Sequence, residues 1–86
     1  MKREDVYALI DKEREYQDTT RKLNKGETRD DSEKSVCDFI IYMEYQLNKA
    51  KWEIYHYRES GALEAIRKVT ALGVAVMEQN DTKPRA

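Results

Sequence analysis

The sequence predicts an all-α fold, a three-helix unit with a long central helix, packed into a helical homo-oligomer. Three observations carry that expectation. Val36, Ile40, Met43, Leu47, Ala50, Ile54 and Tyr57 recur in steps of four and three, an apolar seam that only an α-helix places on one side. Phe39, Tyr42, Tyr45, Trp52 and Tyr55 spread aromatic surface beyond that stripe, more than one neighbouring helix covers. The run ALGVAVM at 71–77 is apolar on nearly every side, and three helices of one chain do not cover a helix all round.

The first helix is expected over about residues 3–20, from Val6, Leu9, Ile10 and Tyr16 at helical spacing, with Glu4 and Asp5 complementing the dipole at its start. Its seam continues through Glu13, Gln17 and Thr20, so the second half turns polar where it should face protein. Either the helix end runs past the core into water, or this break in the pattern marks a functional site. Residues 21–31 hold Asn24 and Gly26 without an apolar period and read as a surface loop, in which Arg21, Lys22, Lys25 and Arg29 are solvated charge.

Asp30 and Glu33 fit a capping-box start for the central helix, expected over about 32–57. At about 1.5 Å per residue the core of that helix spans roughly 35 Å, long enough to act as the hub. Arg58 to Gly61 break the period, Ser60 is placed to cap the next helix, and so short a connection makes that helix antiparallel. The third helix is expected over about 61–79, with Leu63, Ile66, Val69, Val76 and Met77 facing inward. Gly73 lets another backbone approach closely, which places a helix crossing or subunit interface at Leu72, Gly73, Val76 and Met77. The tail 80–86 is polar, contains the only proline and should fray.

Length and charge bound the function. The 86 residues form one domain with a modest core. Sixteen Lys and Arg against 17 Asp and Glu leave no global field to draw the protein to nucleic acid or an anionic membrane. Its apolar runs fall far short of the roughly 20 residues that span a bilayer. A single Cys37 forms no internal disulfide, and the start MKREDVYALI lacks a signal-peptide core, so a cytoplasmic protein is expected.

Structural zinc needs about four clustered ligands, and Cys37 with His56 does not supply them. Cys37 reads as a small buried hydrophobe and His56 as a helix-end packing residue. No nucleophile set, metal site or cofactor motif is present, so the chain is expected not to be an enzyme. One enzymatic alternative is a divergent magnesium-dependent nucleotide pyrophosphohydrolase of the MazG type. Its EExxE run is missing, and Glu13, Glu15, Glu44, Glu64 and Glu78 would have to converge instead.

The better candidates combine charge with an aromatic ring. Glu13, Arg14, Tyr16 and Gln17 form ERxYQ in the first helix, while Arg67 and Lys68 precede the apolar run of the third. Arginine offers a bidentate fork to phosphate and a ring offers a stacking face, so these six residues are the expected site for a phosphorylated, nucleotide-like ligand. Glu13 is placed to orient Arg14 or to accept from a ribose hydroxyl.

The segments EREYQD and IRKVTALGVAVMEQN resemble a family of short, mostly uncharacterised tailed-phage and prophage proteins that pair ERxYQ with a terminal RKxxALGVxxMEQ helix. The likeness covers both ends of the chain and weakly its middle. Where family members close the last motif with glycine, Asn80 is followed here by Asp81. Small phage proteins of this size are often counter-defence factors, some of them helical oligomers that sequester nucleotide immune signals. The resemblance therefore implies a non-catalytic accessory protein of the host-cell cytoplasm that holds such a ligand. A helical module that docks on and inhibits a host protein is the other non-enzymatic reading.

Overall fold

A computed structural model describes the backbone of residues 1–25 and 35–85 and the side chains of 1–19 and 35–85. Its elements are α1 (Arg3–Lys25), α2 (Val36–Tyr55) and α3 (Glu59–Gln79), with no strand among the described residues. None of these helices is long and apolar enough to cross a membrane.

Helix α1 continues five residues past its expected end. Arg21, Lys22, Leu23 and Lys25 are all good helix formers, and basic groups at a C-terminus suit the dipole. The side chains of the basic loop, and the expected start at Asp30 and Glu33, lie outside the described residues. Helix α2 begins instead at a capping box one turn later: Asp38 N donates to Ser35 Oγ at 3.2 Å and Ser35 N donates to Asp38 Oδ2 at 2.9 Å.

The end of α2 is a Schellman turn. Tyr57 N donates to Ile54 O at 3.0 Å and Arg58 N to Glu53 O at 2.8 Å, which requires the intervening residue to be left-handed. That residue is Tyr57, with φ 56°. Its side chain is 97% exposed, so nothing is gained in packing for the strained backbone. Tyr57→Gly is expected to raise the unfolding free energy by about 0.5–1 kcal/mol. Chemical denaturation checks this, and an unchanged or lower midpoint would show that the tyrosine carries a contact of its own.

Ser60 is not the cap of α3. Arg58 takes the N-cap position without a side-chain hydrogen bond, and Ser60 and Gly61 fall in the first turn. A Cβ at Gly61 would lie 2.5 Å from Glu53 Oε2, so a larger residue there would make the Glu53 side chain shift. His56 stacks on Trp52 at 4.0 Å between ring centroids, and Arg58 covers the same ring at 4.7 Å, so this end of the hairpin is sealed by side-chain stacking.

Helices α2 and α3 form an antiparallel hairpin. At its open end Phe39, 1% exposed, packs with Leu72 and Ala75, and Tyr42, Met43 and Val76 close over them. Tyr42 meets the Phe39 ring edge-on at 6.4 Å. Toward the turn Ala50 meets Ala62 and Ala65, small residues that let the helices approach. Since α1 also packs on α3, the hub is α3 and not α2, whose 20 residues make it the shortest of the three.

The phase of α2 differs from expectation. Of its apolar seam only Ala50 is buried and Met43 partly so, while Val36, Ile40, Leu47 and Ile54 stand outside. The line facing α3 runs one residue earlier, through Phe39 and Gln46, because burying the Phe39 ring between Leu72 and Ala75 sets the rotation. Cys37, expected to be buried, is exposed by the same rotation.

Similar shifts affect α3. Leu63, Ile66 and Met77 are exposed, at 61%, 47% and 51%. Leu72, expected between subunits, is instead a 4% exposed core residue. Val76 packs partly buried beside it, and the Gly73 Cα faces the Met43 side chain with room for a Cβ at 3.7 Å. The close crossing at Gly73 is therefore an ordinary contact inside the hairpin, and of the four expected interface residues Met77 is the one left exposed.

Candidate functional site

Helix α1 lies across α3 with its polar seam turned inward. Arg14 is 7% and Gln17 6% exposed, so as far as Gln17 the helix faces protein and not water, while the side chain of Thr20 lies outside the described residues. The Arg14 guanidinium grips Glu78 with a fork, Nε donating to Oε1 and Nη2 to Oε2, each at 3.0 Å. It also donates from Nη1 to Gln17 Oε1 at 3.3 Å and pairs with Asp18 at 3.1 Å. Gln17 Nε2 reaches Lys68 O at 3.5 Å. The two bonds to Glu78 hold the end of α3 and those to Gln17 and Asp18 brace the guanidinium on its own helix, so the residue is a clamp between helices rather than a ligand group.

The hydrogen bond from Arg14, opposed by partial burial, holds the Glu78 carboxyl below its ordinary range, and Glu78 in turn raises the Arg14 pKa. A depressed carboxylate stabilises the fold above its unfolded pKa of about 4.3 and loses that contribution as pH falls through the lower folded value. Glu78 is 52% exposed, so solvent reduces the effect, and Glu78→Gln is expected to cost about 1 kcal/mol at pH 7. Urea denaturation at pH 7 and pH 3 checks it. The gap between wild type and variant should narrow at the lower pH, and a constant gap would mean that the glutamine shape, not the charge, is responsible.

The adjacent face of α1 carries the open part of the site. Glu13 does not orient Arg14, since neighbours on a helix point apart. It accepts from Arg67 Nε at 3.0 Å, and its side chain is only 10% exposed. Arg67 Nη2 also approaches Glu64 at 3.6 Å. Glu13, Tyr16, Arg67 and Lys68 line one cavity of about 360 Å³ between α1 and α3, together with Leu9, Lys12 and Glu64. The structure brings four of the six expected residues together there and puts the other two, Arg14 and Gln17, beneath it.

Lys12 is absent from the sequence-based candidates, and Glu64 stands there only among the glutamates of the magnesium alternative, not in the ligand set. The signal for both is helical spacing, since Lys12 stands four residues before Tyr16 and Glu64 four before Lys68. Neither Lys12 nor Lys68 makes an ion pair with a described residue, so two ammonium groups border the cavity uncommitted, beside a half-exposed Tyr16 ring. Lys68 and Glu64 also border a second cavity of about 350 Å³ between α2 and α3, where Gln46 Oε1 is buried without a hydrogen-bond partner.

Among the described residues no group of three His, Cys, Asp or Glu converges. Glu13 and Glu78, both candidates for a magnesium cluster, are each engaged by an arginine. Beside the charged cavity lies an apolar groove of about 510 Å³, where Val6, Leu9 and Ile10 of α1 face Leu63, Ile66 and Thr70 of α3. No protein-family model, curated protein or solved structure matches this chain.

Proposed function

We propose that the protein binds a small phosphorylated, nucleotide-like ligand in the α1–α3 cavity without transforming it, and so withdraws that ligand from solution. One observation carries the reading: residues more than fifty positions apart, Glu13 and Tyr16 on one side and Arg67 and Lys68 on the other, line a single cavity. Its volume falls within the usual few-hundred-Å³ range of small-molecule sites. Lys12 and Lys68 supply charge for phosphate, Arg67 is held in place by Glu13, and Tyr16 offers a ring face for a base. The likeness of EREYQD and IRKVTALGVAVMEQN to tailed-phage proteins gives this binding a setting, the sequestration of a nucleotide immune signal in the host cytoplasm as a counter-defence measure.

Calorimetry with a panel of cyclic and linear nucleotides tests it, with analysis of the nucleotide after incubation with magnesium. A ligand binding below about 100 µM and recovered intact is the expected result. No binding in that range, or pyrophosphate release that disappears in Glu44→Gln or Glu78→Gln, would overturn it, the latter in favour of a pyrophosphohydrolase.

The apolar groove supports a second reading, in which an amphipathic helix of a host protein docks between α1 and α3 and is inhibited there. Leu63→Glu separates the two. It should abolish capture of a stoichiometric host protein under this reading and leave nucleotide binding unchanged under the first.

A further inference from the structure

The exposed seam of α2 is a surface without a neighbour inside the chain. Val36, Ile40, Leu47 and Ile54 are 45%, 58%, 48% and 55% exposed, and their spacing aligns them along one side of the helix. At 100° per residue that side lies about a quarter turn from the one buried on α3. A row of four half-exposed aliphatic side chains is the kind of contiguous apolar surface that marks an interaction site.

The pattern of the seam says what covers it. Around Leu47 the residues are symmetric in type, with isoleucine seven positions before and seven after, at Ile40 and Ile54. The charges reverse across the same midpoint. Glu44 stands three positions before and Lys51 four after, on one flank of the seam, and neither pairs with a described residue. A surface that repeats its apolar groups and inverts its charges about its centre is complementary to itself, which is the requirement for a two-fold interface between identical chains.

We infer that α2 packs against α2 of a second copy, antiparallel, with the two-fold axis at Leu47. Ile40 of each copy then lies opposite Ile54 of the other, and Glu44 opposite Lys51. The antiparallel sense follows from the flanks. It sets the open Glu44–Lys51 flank against its counterpart, whereas a parallel pairing would set that flank against the one already covered by α3 at Phe39 and Gln46. With the partner helix and α3 about a quarter turn apart around α2, two hairpins make the square arrangement of a four-helix bundle. This differs from the surface that the sequence pattern marks at Leu72, which the hairpin uses internally. It stands independently of the ligand-binding reading, because none of these residues borders the α1–α3 cavity.

Light scattering coupled to gel filtration at about 50 µM reads the state of a chain whose mass is 10.2 kDa. Wild type should run as a dimer and Leu47→Glu as a monomer with unchanged helical circular dichroism. Lys51→Glu should weaken the dimer at least tenfold, and Glu44→Lys combined with Lys51→Glu should restore it. Orientation is read in a Cys37→Ser background with a short bis-maleimide. Leu47→Cys should cross-link to itself, whereas Ile40→Cys should cross-link efficiently only when mixed with Ile54→Cys. A wild-type monomer at this concentration, no rescue by the charge exchange, or self-linking of Ile40→Cys as efficient as the mixed reaction would each overturn the assignment. Should Leu47→Glu fail to fold, the charge exchange and the cross-linking decide the question without it.

Discussion

Phe39→Ala lowers the unfolding free energy by about 3–5 kcal/mol, the range for emptying a buried aromatic site. Phe39 is the largest side chain fully buried among the described residues, and its neighbours in the core, Leu72 and Ala75, sit on a single face of α3. Alanine at 75 has no side chain to move into the space, and Leu72 is fixed by its own packing, so the cavity persists and the upper half of the range applies. A domain of this size has only about 4–13 kcal/mol of total stability. At about 4–8 °C per kcal/mol, the midpoint should fall by roughly 16–40 °C. Thermal unfolding followed by circular dichroism measures it, with Ile41→Ala as control. Ile41 is 62% exposed on the same helix and should cost under about 1 kcal/mol. Equal losses in the two variants would mean that α2 is rotated from the orientation described.

Under the proposed ligand-binding function, Arg67→Ala is expected to weaken nucleotide binding by about ten- to hundredfold, or roughly 1.5–3 kcal/mol, while leaving the helical fold intact. Two effects add. The first is the lost charge-assisted donor to phosphate. The second is the Glu13 carboxylate, 10% exposed and paired with Arg67 Nε, which would be left as an uncompensated negative charge facing an anionic ligand. Glu13→Gln combined with Arg67→Ala should therefore recover part of the loss, and Arg67→Lys should recover less than full affinity because the point charge lacks the fork. Calorimetry at low and moderate salt tests the series. A single variant that binds as tightly as wild type would remove Arg67 from the site and leave Lys12 and Lys68 as its cations among the described residues.

Several features were legible in the sequence because they depend on neighbours along the chain. The helical periods of all three elements, the acidic first turn of α1 and the tight connection that makes α2 and α3 antiparallel follow from spacing and from local steric rules. The break in the apolar seam of α1 was legible too, as a run of Glu13 and Gln17 where hydrophobic residues were due. That these polar groups turn inward required a partner for them, and the partners, Arg67 for Glu13 and the Lys68 carbonyl for Gln17, come from the other end of the chain.

Periodicity reports that a helix has two sides, and tertiary packing alone decides which residue stands at the centre of the buried one. In α2 the choice fell on Phe39, because a large ring gains more by burial than Ile40 or Leu47 and fits the notch between Leu72 and Ala75. That rotation moved four apolar residues to the surface and exposed Cys37, while the packing of α1 on α3 gave α3 the role of hub. The division of ERxYQ was decided in the same way. Adjacent residues on a helix point 100° apart, so a motif contiguous in sequence is split in space, with Glu13 and Tyr16 toward the cavity and Arg14 and Gln17 beneath it. The local rules determined by themselves that this chain is helical and where its unusual residues lie, whereas only the packing of α1 across α3 separated those that hold the fold from those open to a ligand.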